Sequence, residues 1–259
     1  MKKVKKRTRM LVRKKVLPKV VGKSASGVDR VPVGIGEFDS LIGGGFVKDS
    51  TNLLVGGSGS GKTIFATQFL ISAMQKGEKC LYVTFEEKKA QFYENMLSLG
   101  WDLKVYEEKG LFTFLEYTPI KVKTMLEEGG GTIESIILNK KIRRIVIDSI
   151  TSFALLFEDE LSQRAAALSL FGMIRDWDCT SLLTLEEEPF DKNKKTSRAI
   201  EFEVDSILVF YFVRDEKERQ RYLEVLKMRG TNHSREVFPF SVVKNGIVVG
   251  KKSVSRAFE

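Results

Sequence analysis

Short apolar runs alternate along this chain with longer stretches in which apolar side chains recur at helical spacing. Asn52–Val55 is an apolar run ending at glycines and reads as a buried strand. Thr63–Met74 follows with Ile64, Phe65, Leu70, Ile71 and Met74 spaced as on a helix. Lys79–Phe85 reads as the next strand, and Lys88–Leu99 as a helix bearing Phe92, Met96, Leu97 and Leu99, which Gly100 is placed to stop. Leu111–Leu115 is a third strand. Residues 121–140 read as a helix pair broken at Gly129–Gly131, and Ile142–Asp148 as a strand. Glu158–Trp177 is an amphipathic helix with Leu161, Ala165, Leu168, Phe171 and Ile174 on one side, and Thr180–Thr184 is another strand. Upstream, Ile35, Phe38, Leu41 and Ile42 predict a short helix that Gly43–Gly45 ends.

Beyond Glu186–Arg198, which reads as a mobile loop, the pattern changes to hairpins. Asp205–Phe212 and Arg221–Lys227 flank a charged turn, Arg214–Arg219. Val237–Val243 and Ile247–Val249 are joined by Lys244-Asn245-Gly246, and Asn-Gly favours a tight type I′ turn. Alternating strands and helices followed by hairpins predict an α/β fold. Its mostly parallel sheet carries helices on both faces and is extended by antiparallel strands at one edge.

Charge changes this picture at one end only. The net charge is +9, yet residues 1–23 hold 11 Lys or Arg and no acid. The remaining residues carry 43 − 11 = 32 basic and 34 acidic groups, a net of −2. Residues 1–23 therefore read as a basic, disordered tail, and residues 24–259 as a single domain. Such a tail suits nucleic acid or an acidic partner, and equally a solvated extension; Val16–Val21 is apolar enough to add a strand to a neighbour. No run approaches the length of a membrane helix, and the basic start lacks a signal peptide's apolar stretch. Cys80 and Cys179 are far apart beside strand-like runs, as reduced core residues of a cytoplasmic protein would be.

The chemistry centres on Val55–Phe65. Gly56, four residues, then Gly61-Lys62-Thr63 fit the phosphate-loop pattern between a strand and a helix. Glycines let the backbone close around a polyphosphate, and the helix start adds its positive end. Gly57, Ser58, Gly59, Ser60, Gly61, Lys62, Thr63 and Ile64 form the expected ATP-binding set. Lys62 would reach the phosphates, and the Thr63 hydroxyl would ligate Mg²⁺. Asp148, at the end of an apolar run and followed by Ser149, has the form of the second Mg²⁺-holding motif, usually acting through water. Glu86-Glu87 and Lys227–His233 complete four patches assigned to strand ends, where open α/β sheets bind ligands.

With these residues in order, the chain resembles the KaiC-like branch of the RecA superfamily of P-loop ATPases. The matching segments are V-P-V-G-I-G-E-F-D-S-L-I-G-G-G, G-G-S-G-S-G-K-T, Y-V-T-F-E-E, I-V-I-D-S-I-T and L-K-M-R-G-T-N-H, from about Arg30 onward. The resemblance implies a RecA-like fold and slow hydrolysis of ATP with Mg²⁺ in a homo-oligomer, a hexameric ring or a filament. It implies that one of Glu86 and Glu87 orients or deprotonates the attacking water; on the residues alone they equally suit a solvated helix start. It implies that Lys227 and Arg229 reach the next subunit's nucleotide, as an arginine finger does, with His233 near that nucleotide's base or ribose. Glu201 and Phe202 stand where a self-phosphorylating relative has a Ser-Thr pair, which counts against an autokinase. A DNA-processing motor, a nucleotide-gated scaffold and an autokinase with little turnover remain alternative readings.

Overall fold

The computed structural model describes residues 27–118, 121, 124, 131–151, 157, 159–188, 200–215 and 218–254. The basic tail, most of the first half of the helix pair, and the predicted loop beyond Glu188 lie outside the described residues. Strands are β1 (Arg30–Val31), β2 (Phe46–Val47), β3 (Thr51–Gly56), β4 (Cys80–Thr84), β5 (Phe112–Glu116), β6 (Arg144–Asp148), β7 (Thr180–Glu186), β8 (Ser206–Asp215), β9 (Glu218–Met228), β10 (Phe238–Val243) and β11 (Gly246–Val249). Helices are α1 (Gly36–Leu41), α2 (Lys62–Met74), α3 (Lys89–Ser98), α4 (Leu103–Glu108), α5 (Gly131–Lys140) and α6 (Glu160–Asp176).

β3 to β11 form one sheet in the order β11-β10-β9-β8-β3-β7-β6-β4-β5. The six strands from β8 to β5 are parallel, and β9, β10 and β11 continue antiparallel. β3 is buried along its whole length, as a parallel strand covered on both faces must be. Two apolar clusters result. One lies between the sheet and α1–α4, with Phe38, Phe65, Phe69, Phe92 and Phe210 at its centre. The other lies under α5 and α6, with Ile145, Ile147, Phe171 and Ile174.

Three expectations need correction. On α6 the buried residues are Ala166, Ala167, Leu170, Phe171 and Ile174, while Leu161 is 78% exposed and Leu168 43%. The apolar stripe is thus rotated from the predicted one, because adjacent alanines can approach the sheet closely. Within the predicted charged turn Arg214–Arg219, the ladder takes in Arg214, Asp215, Glu218 and Arg219, with Arg214 paired to Arg219 and Asp215 to Glu218 across β8 and β9; residues 216 and 217 lie outside the described residues. Those charges stand on strands that extend past the body of the sheet. Predicted Glu186 belongs to β7. The short α4, capped by the Asp102 side chain, and the β1–β2 pair had no clear periodic signal. Asn245 and Gly246 take positive φ (72° and 122°), as the tight turn between β10 and β11 requires.

Polar pins fix the amino rim of the parallel strands. Asn52 on β3 donates to the Ser181 carbonyl (3.0 Å) and accepts from the Ser206 hydroxyl (2.6 Å), tying β3 to both neighbours. Arg144, at the start of β6, is 1% exposed and pairs with Glu78 through two nitrogens (3.0 and 3.1 Å). It also donates to the carbonyls of Pro32 (2.7 Å) and Phe69 (3.2 Å) and lies over the Phe69 ring. Arg144→Met removes every one of these donors from a buried corner. It is expected to cost about 3 kcal/mol in urea unfolding, since a broken buried pair leaves its acceptors unmatched.

Asp39 holds the segment before α1 by accepting from the backbone of Val33 (2.7 Å) and Gly34 (3.0 Å). Burial pushes its carboxyl up to about 6, against the pull of those N–H groups, of Ile35 N–H and of Lys76. The unfolded chain would ionise it near the ordinary value of about 3.9. The native state therefore holds this proton more tightly, and the stability it confers is lost as pH rises from about 4 to about 6. The stability difference between wild type and Asp39→Asn is expected to fall by about 2 kcal/mol across that window in a pH series of denaturation curves.

Candidate functional site

The loop that leaves β3 at Gly56 enters α2 at Lys62. Gly59 and Gly61 adopt positive φ (73° and 103°), which an L side chain rarely takes. Gly61 ends the loop as the N-cap of α2, with no side chain accepting from the first turn and no acid within that turn. The first-turn N–H groups and the helix dipole thus face the loop, as an anion nest needs. At Gly57 a Cβ would stand 2.0 Å from the Glu188 carboxylate, so glycine alone permits that close approach.

Lys62 is buried and folds back over the loop, donating to the carbonyls of Gly56 (2.7 Å) and Gly57 (2.9 Å). Burial pulls its ammonium below the ordinary value, opposed by the charges of Glu186, Asp148, Glu188 and Glu86. These carboxylates come from the ends of β7, β6 and β4, which parallel pairing brings to one rim.

Asp148 ends β6, paired with Thr84 of β4. Its Oδ2 accepts from the Thr63 hydroxyl at 2.8 Å and from the Tyr82 hydroxyl at 2.5 Å, and its Oδ1 accepts from the Thr184 hydroxyl. The next residue, Ser149, donates to Glu86 Oε1 at 2.9 Å. Glu87 accepts from the Asn95 amide of α3 at 2.7 Å. Burial pushes the Glu87 carboxyl up, Asn95 pulls it down, and the charge of Asp148 adds to the rise. Both glutamate N–H groups donate to the Thr84 hydroxyl (3.2 Å each), which shapes the turn after β4. Thr63 and Asp148 converge as hard oxygen donors beside a phosphate-type loop, so their chemistry fits Mg²⁺.

The sequence-predicted residues Gly57, Ser58, Gly59, Ser60, Gly61, Lys62, Thr63, Ile64, Glu86, Glu87 and Asp148 therefore share one rim. Lys227, Arg229 and His233 do not, which corrects the placement of their segment with the other three patches. Lys227 pairs with Ile207, and Ile207 with Leu53, well before the loop. Arg229 N–H bonds the Asp205 carbonyl, and Asp205 N–H bonds the Thr51 carbonyl, at the start of β3. Five strand residues separate that level from Gly56, roughly 17 Å. Because β9 runs antiparallel, its carboxyl end lies at the opposite rim. There Lys227 donates to the carbonyls of Glu201 (2.7 Å) and Val204 (2.8 Å), and Arg229 to that of Phe202 (2.7 Å). Burial, then the charge of Arg229, pulls the Lys227 ammonium down. His233 Nδ1 lies 2.8 Å from its neighbour's carbonyl on Ser234.

Five residues near the loop escaped the sequence reading: Tyr82, Thr184, Glu188, Phe212 and Arg221. Arg221 donates to the Gly59 carbonyl (3.0 Å) and lies over the Phe212 ring at 4.4 Å, so β8 and β9 brace the loop's flank. Alternation placed Tyr82 on one face of its strand, but only the strand order sets it beside Asp148.

The family described as "ATPase: KaiC" matches residues 31–254. The chain is 31% identical to the circadian clock protein KaiC3 of Synechocystis over 89% of its own length and 47% of that protein's, so it spans about half of that relative. It is 33% identical to a UPF0273 protein of Pyrococcus horikoshii, over 85% of this chain and 93% of the relative. A solved KaiC-like protein from Pyrococcus horikoshii superposes with a TM-score of 0.77 at 36% identity, covering 86% of this chain and 99% of that one. A RecA-type sheet, a phosphate loop facing an aspartate across 2.8 Å, and these matches lead to one assignment: the chain belongs to the KaiC family of ATPases.

Proposed function

We propose that this protein is a Mg²⁺-dependent ATPase that works as a homo-oligomer, a ring or filament, with nucleotide sites completed between subunits. The observation that carries this reading is Thr63 Oγ1 meeting Asp148 Oδ2 at 2.8 Å next to the buried Lys62 and an uncapped helix start. The backbone of Gly57–Ile64 would cradle the phosphates, with Lys62 turning from the loop carbonyls toward them. Thr63 and Asp148 would hold Mg²⁺, which supplies charge neutralisation on the phosphates.

Glu86, beside Ser149 just past the Asp148 strand, is the better placed of the glutamates to orient or deprotonate water. Glu87 is anchored outward on α3 and would support that turn. Lys227 and Arg229 stand too far along the sheet to serve their own loop, which supports a role at a neighbour's γ-phosphate, with His233 beside the neighbour's nucleotide.

Glu86→Gln is expected to lower kcat by about 100-fold or more while ATP affinity is kept, and Glu87→Gln to cost clearly less, in steady-state phosphate-release assays. Lys62→Ala and Arg229→Ala are each expected to abolish turnover. Mixed in equal amounts after dissociation, they should regain activity at about a quarter of subunit junctions, because each junction draws its loop and its cation from different chains. Mixtures that stay as inactive as the separate variants would rule out the shared site.

A further inference from the structure

Asp148 sits at the meeting point of three hydroxyls, and two of them have no part in the scheme above. Tyr82 is 1% exposed, and its OH lies 2.5 Å from Asp148 Oδ2. Thr184 is fully buried and donates to Oδ1. They come from β4 and β7, the strands that flank β6 on either side. Register explains the convergence. Tyr82 pairs with Val146 and Leu182 with Val146, so Tyr82, Asp148 and Thr184 all face α2, which brings Thr63.

The Tyr82 ring needs no hydroxyl for its packing. It stacks on Phe114 (centroids 5.6 Å apart, planes 6° apart) and lies 4.4 Å from Phe92 of α3, where a phenylalanine would fit as well. Burying a phenol requires a partner, and here the partner is the carboxylate expected to face the cation. Facing a carboxylate, which can only accept, the hydroxyl acts as the donor. An ionised carboxylate has about four acceptor positions. Donors on both oxygens, from both neighbouring strands, leave little freedom to rotate.

We propose that Tyr82, together with Thr184, is a positioning residue that clamps both Asp148 oxygens and so fixes the direction in which Asp148 presents its remaining lone pairs to a divalent cation beside Thr63. This rests on the reading of Thr63 and Asp148 as the cation-holding pair. A group hydrogen-bonded behind a metal-holding side chain changes metal affinity by about 10- to 100-fold when removed. A hydroxyl that merely satisfies a core carboxylate would change folding stability alone.

The test uses the full chain with a non-hydrolysable ATP analogue and Mn²⁺ as the probe, its affinity read by electron paramagnetic resonance. Nucleotide affinity without metal and the melting temperature are read in parallel. Tyr82→Phe is expected to weaken Mn²⁺ binding about tenfold, with Thr184→Val acting in the same direction and metal-free nucleotide affinity unchanged. Mn²⁺ affinity within about twofold of wild type in Tyr82→Phe, when Asp148→Asn weakens it strongly, would overturn the inference and leave the cation pair intact. If Asp148→Asn also leaves Mn²⁺ affinity unchanged, the underlying pair fails and the clamp with it. A Tyr82→Phe chain that loses melting temperature and metal-free nucleotide affinity together, with no separate effect on Mn²⁺, would make the hydroxyl purely structural and overturn the proposal too.

Discussion

The amino end of α2 is the constraint that the arrangement of strands answers. Gly61 starts the helix through backbone conformation alone, and no side chain caps the first turn. Helix-start N–H groups need acceptors, and the dipole adds positive potential at the same point. Lys62 brings a buried ammonium into that corner. A site of this polarity needs anions close by. The chain supplies carboxylates from Asp148, Glu186, Glu188 and Glu86, and their field opposes the larger pull of burial on the lysine's proton. Parallel pairing makes this possible, because it brings the carboxyl ends of β3, β7, β6 and β4 to a single rim.

The opposite rim has its own organisation. Arg30 donates to Thr231 (2.8 Å) and to the carbonyls of Ile42 and Gly45 (3.2 Å each), and Ser234 N–H bonds the Leu41 carbonyl. The segment carrying Arg229 and His233 is therefore laid on α1 and the glycines that follow it. Pro32, just before α1, is gripped in turn by Arg144 at the foot of β6. The cationic segment is thus fastened to the sheet by chain from its amino end, far in sequence from β9. An ordered cation needs such a footing, since a loose one loses much of its value in side-chain entropy.

Much of this was readable in the sequence because the signals were local. The phosphate loop joins a strand and a helix whose periods are unambiguous, and Asn245-Gly246 marks its own turn. Asp148 could be recognised as a strand-end acid. What could not be read depended on which strands lie side by side. Tyr82 and Thr184 meet at Asp148 only because β6 lies between β4 and β7, an order that no local pattern encodes. The same limit misplaced Lys227 and Arg229. Motif order suggested one rim, whereas the antiparallel direction of β9 puts its carboxyl end at the other. On α6, Leu161 and Leu168 promised a buried stripe, but hydrophobicity alone does not tell which face meets the sheet; the alanines at 166 and 167 do.

The paired glutamates show how neighbouring positions of identical chemistry come to differ. Both turn on the Thr84 hydroxyl, which accepts from each backbone N–H. Past that hinge they diverge. Glu86 meets Ser149, one residue beyond Asp148, so its carboxylate is referenced to the end of the strand that carries Asp148. Glu87 meets Asn95 on α3, whose Phe92 packs against Tyr82. The first glutamate thus moves with β6 and the second with α3. A shift of α3 would alter Glu87 directly through Asn95, whereas the Ser149 contact ties Glu86 to the end of β6. Two acids adjacent in sequence are in this way coupled to different parts of the fold, and only one is held to the strand that bears Asp148.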